Sequence, residues 1–82
     1  MSREDIFKLI IQHTCEIIPD LEDHHFQPSD KLVDLGANSV DRAEIVMMTM
    51  ESVSLKVPRV NLAGATNIGE LADVIFENLQ SQ

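Results

Sequence analysis

The chain has no tryptophan, no tyrosine and one cysteine, Cys15. A single thiol excludes an internal disulfide and fits a reducing compartment. Three glycines and three prolines, set singly along the chain, exclude a flexible linker or a low-complexity tract. No apolar run approaches the roughly 20 residues that span a bilayer. The opening Met1–Asp5 lacks the basic-then-apolar pattern of a signal peptide. These absences predict one cytoplasmic domain over residues 1–82. Basic residues are scarce too: six Lys and Arg stand against fourteen Asp and Glu, a net charge of −8. Nucleic acid and anionic membrane surfaces need clustered cations, so neither is expected as a partner. Basic patches on other proteins suit such a surface, and the charge predicts a soluble monomer.

What is present is enough apolar residue for a core, 44%, in helical rather than strand spacing. Ser2 and Asp5 have capping-box spacing. Ile6, Leu9, Ile10, His13 and Ile17 follow as a helical stripe, and Pro19 ends the helix at about residue 18. Residues 19–38 read as a long connection, with Leu21, Phe26, Leu32, Val33 and Leu35 to pin it to a core. A second helix is expected over about 39–53, capped by Asn38 with Asp41. Residues 54–66 carry only the charges Lys56 and Arg59, and leave room for one short turn near Asn61–Gly64. Asn67 and Glu70 have capping spacing for a last helix striped by Ile68, Leu71, Ala72, Ile75 and Leu79. The expected fold is all-α: three main helices plus one short helix, with a long first loop. Ile6, Ile10, Leu35, Ile45, Leu71 and Ile75 are the expected core.

The second helix is apolar on two sides. Ile45, Val46, Thr49 and Val53 face one way; Val40, Ala43, Met47 and Met50 face roughly the other. Either the methionines fill core gaps, or one side meets a partner. Asp41, Glu44 and Glu51 border the second stripe, and burying acids is costly, so an exposed second side is the better reading. Ser39 opens this helix. Serine there is most often a cap. The same place suits a phosphate ester, since unpaired N–H groups and the positive helix end favour an anion.

The run Asp34-Leu35-Gly36-Ala37-Asn38-Ser39-Val40-Asp41 resembles the Asp-Ser-Leu signature of acyl carrier proteins. Length, acidity, the long first loop and the last stripe resemble that family over the whole chain. The resemblance implies that Ser39 carries 4′-phosphopantetheine, installed from coenzyme A by a phosphopantetheinyl transferase, with acyl groups held as thioesters on the arm. It makes the second helix a recognition helix. Val40, Ala43 and Met47 would touch partners, and Asp34, Asp41, Glu44 and Glu51 would meet their Arg and Lys. Asn38 stands where the family usually has Asp, and Val40 where it has Leu. Asn still caps and Val is still apolar, but the lost charge narrows recognition by transferases and partners. Gly36 to Ile45 resembles freestanding donor carriers of bacterial polyketide β-branching cassettes. That implies acetyl or malonyl cargo and, as partners, an acyltransferase, a ketosynthase-like decarboxylase and a hydroxymethylglutaryl-synthase-like (HMG-synthase-like) enzyme. Cargo this short is expected to bury little between the helices.

Two other readings stand beside this one. A peptidyl carrier of nonribosomal synthesis would load an amino acid, which a test of accepted thioesters distinguishes. An unmodified helical adaptor would use Ser39 only as a cap, and would keep its function in Ser39→Ala. No catalytic set is expected. His24 and His25 with Asp20, Glu22 and Asp23 match no zinc spacing and read as a solvated loop. His13 reads as a packed residue on the first helix, and Cys15 as a small core residue. Gly36 to Val40 is not the hydrolase nucleophile elbow.

Overall fold

The computed structural model describes residues 1–62 and 64–81. Three helices carry the fold: α1 (Arg3–Ile17), α2 (Ser39–Ser52) and α3 (Ile68–Ser81). Two short 3₁₀ turns, Pro19–Leu21 and Arg59–Leu62, lie in the connections. Among the described residues there is no strand. Helix α1 packs against both α2 and α3, so its buried residues Ile6 and Ile10 hold the centre. Ile45 from α2 and Ile68, Leu71, Ala72 and Ile75 from α3 close around them. Burying one such side chain stabilises by about 1.5–3 kcal/mol, so this isoleucine cluster carries much of the fold.

The helix starts follow the sequence. Ser2 Oγ accepts from Asp5 N–H at 3.2 Å, and Asp5 returns a bond to Ser2 N–H at 3.1 Å. At α3 the box is only half made. Asn67 Oδ1 accepts from Glu70 N–H at 2.7 Å, but the Glu70 carboxylate turns back to the Thr66 N–H and hydroxyl, at 2.9 and 2.6 Å. Thr14 and Thr49 are fully buried, yet each hydroxyl bonds the carbonyl four residues back, Ile10 and Ile45.

The long first loop is pinned at both levels. Ile68 N–H donates to Asp30 O and Gly69 N–H to Pro28 O, each at 2.9 Å. The loop thereby satisfies two orphan donors at the start of α3. Within the loop, Asp30 Oδ2 takes Gln27 N–H at 2.8 Å and meets His24 Nε2 at 3.0 Å, while the His24 ring stands edge-on to Phe26. His24 is therefore half-buried structure rather than solvated loop, while His25, Asp20, Glu22 and Asp23 are exposed as expected.

Three further expectations are corrected. Leu35 is half-buried at the rim, and Leu32 and Ala37 take the core positions. The cause is a one-turn helical coil over 31–35 that places Leu32 inward and closes at Gly36. Met50 is buried, because the stripe containing Met47 drifts off the outward face by residue 50. The short turn in the second connection starts at Arg59, directly after Pro58, whose carbonyl accepts Asn61 N–H at 3.0 Å. The expected span Asn61–Gly64 runs over Ala63, which lies outside the described residues.

Candidate functional site

The approach to Ser39 is built by a helix-stop motif. Ala37 N–H donates to Leu32 O at 3.1 Å and Gly36 N–H to Val33 O at 3.3 Å. This pattern needs a left-handed residue at its end, and Gly36 supplies it with φ +99°. No atom lies within 4 Å of where a Gly36 Cβ would stand, so the requirement there is conformational rather than spatial. The chain then turns into Asn38, whose Oδ1 accepts Asp41 N–H at 2.8 Å. Asp41 Oδ2 accepts Asn38 N–H at 3.3 Å. Substituting Asn for Asp has therefore kept the full reciprocal cap.

Ser39 is the first residue of α2 and is exposed. Among the described residues its hydroxyl has no hydrogen-bond partner, so it is not the cap. Among the described residues the backbone N–H groups of Ser39 and Val40 are likewise unbonded, whereas Asp41 N–H is taken by the Asn38 side chain and Arg42 N–H by the Asn38 carbonyl. An exposed hydroxyl beside two free donors at a positive helix end fits a phosphodiester.

The outward face of α2 is a single stripe. Val40, Glu44, Met47 and Glu51 recur at helical spacing and all are exposed, Val40 at 65% and Met47 at 48%. Ala43 and Asp41 flank it, half-buried, and Asp34 is exposed on the preceding loop. The structure thus groups the expected partner residues, with acids around an apolar centre. Val33 and Val60, both exposed, extend the apolar surface from the two connections. Val33 was expected to pin the loop to the core and faces outward instead; Val60 was missed because it lies in no periodic segment. Arg42 was missed as well: its guanidinium donates to Ala37 O at 2.8 Å and ties α2 to the loop before Ser39. A cavity of about 660 Å³ opens between α2 and the second connection, lined by Val46, Leu62, Ala65 and Leu71 among others.

The remaining polar groups belong to the scaffold. Buried His13 bridges Glu16 Oε1 at 2.7 Å and Ser52 Oγ at 2.8 Å, linking the C-terminal ends of α1 and α2. That brings a serine, a histidine and an acid into line, which sequence spacing did not reveal. The N–H groups of Val53, Ser54 and Leu55 beside Ser52 all donate to helix carbonyls, so no oxyanion donors face it. Cys15 is half-buried with Sγ 3.7 Å from Leu21 O, and burial pushes its thiol pKa up. Among the described residues no group of three His, Cys, Asp or Glu gathers to hold a metal ion. Among them, too, no helix is long and apolar enough to cross a membrane.

Known proteins share this arrangement. A family model described as a phosphopantetheine attachment site matches residues 8–75. The chain is 52% identical over 81 residues to the polyketide biosynthesis acyl-carrier-protein AcpK of Bacillus subtilis (strain 168), covering 99% of each chain. The crystal structure of the curacin biosynthetic pathway HMG synthase in complex with acetyl donor-ACP contains a chain that superposes with a TM-score of 0.88. That chain is 57% identical, and the match covers 90% of this chain and 95% of that one. The protein belongs to the phosphopantetheine-attachment family of acyl carrier proteins, whose cofactor is a covalently attached 4′-phosphopantetheine.

Proposed function

We propose that Ser39 is the attachment point, and that the chain is a non-catalytic, cytoplasmic carrier donating acetyl groups in a polyketide β-branching pathway. The observation that carries this is the exposed, unpartnered Ser39 hydroxyl beside the free N–H groups of Ser39 and Val40. The full-length similarity to a polyketide carrier, and to a chain crystallised with an HMG synthase as acetyl donor, supports the pathway. When bound, the cofactor supplies a terminal thiol that holds an acyl group as a thioester.

The protein's own residues do the rest. Asn38 and Asp41 fix the start of α2, and Gly36 and Arg42 fix the loop, so Ser39 is held outward for a phosphopantetheinyl transferase. Val40, Ala43 and Met47 give partner enzymes an apolar contact, and Asp34, Asp41, Glu44 and Glu51 meet their cations. Exposed pairs of this kind are each worth about 0–1 kcal/mol, so affinity is modest and salt-sensitive. That suits a carrier that must leave one enzyme for the next. Tethering raises the local concentration of the acyl group at each enzyme visited. The partners proposed are the transferase, an acyltransferase, a ketosynthase-like decarboxylase and an HMG-synthase-like enzyme.

The test is acetyl transfer. The acetyl-loaded protein is mixed with an HMG-synthase-type enzyme and an acetoacetyl-loaded acceptor carrier, and its mass is followed. Loss of acetyl dependent on the enzyme supports donation. Retention of acetyl, with a known donor carrier active in parallel, contradicts it.

A further inference from the structure

Three of the six cations of this acidic chain lie beside acids. Arg3 pairs with Asp73 at 3.0 Å and Lys8 with Glu4 at 3.7 Å, and the Glu70 carboxyl, held low first by the Thr66 hydroxyl and N–H, also feels the charge of Lys31. Arg42 and Arg59 differ. Among the described residues neither has a carboxylate partner, although acids outnumber cations fourteen to six. Both line the same cavity of about 660 Å³, the one beside the first turn of α2, and no acid lines it. Arg42 commits one guanidinium nitrogen to Ala37 O, which leaves its other N–H groups uncommitted. Asn67 adds a side-chain N–H₂ there, its Oδ1 being held by Glu70 N–H.

We propose that this cavity reads a carboxylate: it takes the free carboxylate of a short dicarboxylic acyl group of the malonyl class, held by Arg42 and Arg59, and gives an acetyl group no purchase. This rests on the reading of Ser39 as attachment point, since Arg42 lies one helical turn from it. A guanidinium fork matches a carboxylate in geometry, and the bond strengthens where the groups are partly withdrawn from water. The −8 field of the whole chain opposes an anion, and a local cationic pocket offsets it. Apolar length alone leaves any short cargo outside; the two guanidiniums change that for the carboxylated one. The same cations also match the phosphodiester of the arm itself, so the test separates the two anions.

The experiment is ¹⁵N NMR of the whole protein in unmodified, arm-bearing, acetyl-loaded and malonyl-loaded forms, with an amide replacing the thioester to prevent hydrolysis. The malonyl form is expected to shift the Arg59 side-chain N–H and the Val60, Ala65 and Thr66 amides relative to the acetyl form. Arg59→Gln abolishes that difference, and Arg42→Lys, which keeps a cation and a donor for Ala37 O, reduces it. Identical acetyl and malonyl spectra overturn the proposal. So do shifts already complete in the arm-bearing form, which assign the pair to the phosphodiester. If the arm cannot be attached, the reading of Ser39 fails instead. Malonyl-pantetheine amide added to the unmodified protein then tests the cavity by itself: shifts at Arg59 support it, and their absence overturns it.

Discussion

Gly69 and Pro28 meet backbone to backbone: Gly69 N–H donates to Pro28 O at 2.9 Å, and a Cβ on Gly69 would stand 2.9 Å from Pro28 Cβ. This contact docks the long first loop on α3, and so holds the frame from which the Ser39 loop hangs. Gly69→Ala gains about 1 kcal/mol of helix propensity. The forced contact costs about 1–3 kcal/mol. The expected net effect is a lower melting temperature, with faster hydrogen exchange at Ile68 and residue 69. An unchanged or raised melting temperature would show that the loop yields freely.

The Asn38–Asp41 cap predicts different outcomes for two substitutions at Asn38. Asn38→Ala removes the acceptor for Asp41 N–H and is expected to cost about 1 kcal/mol in urea unfolding. Asn38→Asp keeps an acceptor and stays close to the parent in stability. It also restores the family's usual charge, and is expected to speed modification by a broad-specificity transferase. Equal rates for parent and Asn38→Asp would remove any role for that charge in recognition.

Most of the fold was legible in the sequence because it is written in caps and periodicity. The boxes at Ser2–Asp5 and Asn38–Asp41, and the stop at Pro19, placed α1 and α2 to within a residue. Of the candidate site, Ser39 was marked by its motif, the outward side of Val40 and Met47 by spacing, and Glu44 by the cost of burying an acid. What periodicity does not encode was misplaced. Leu35 and Leu32 exchange roles because a helix-stop at Gly36 sets which side of a short coil faces inward. The roles of Arg42, Val33 and Val60 depend on how two irregular connections meet α2, which no local pattern specifies.

Acid is expected to destabilise the fold through three carboxylates. The Asp30 carboxyl is held below its ordinary pKa by Gln27 N–H and then by the bond to His24. Asp5 is lowered by Ser2 N–H and hydroxyl, and Glu70 by the Thr66 hydroxyl and N–H. A depressed folded pKa stabilises fully above the ordinary value, about 4, and that stabilisation is lost as pH falls through the folded value. Thermal unfolding is therefore expected to show a falling melting temperature below about pH 4. At pH 7 added salt screens repulsion within the −8 chain and is expected to raise the melting temperature. Asp30→Asn should be less stable at pH 7, with a shallower acid decline. An equally steep decline in Asp30→Asn would remove Asp30 from the account.

The α2 stripe predicts separable electrostatic and apolar contributions to partner binding. Glu44→Lys is expected to weaken binding to an HMG-synthase-type enzyme by roughly fivefold at low salt, about 1 kcal/mol, and by less at high salt. Met47→Ala should weaken binding at both salt concentrations, because its 48% exposed side chain offers apolar area rather than charge. Titration calorimetry at two salt concentrations checks this. A salt-independent loss in Glu44→Lys would contradict an electrostatic role.

The most direct test of the central claim is the intact mass of the protein before and after incubation with coenzyme A and a broad-specificity phosphopantetheinyl transferase. The account predicts a gain of one phosphopantetheine in the parent and none in Ser39→Ala, with both folded alike. No gain in the parent or in Asn38→Asp, while a control carrier is modified, would contradict it, as would a gain that persists in Ser39→Ala.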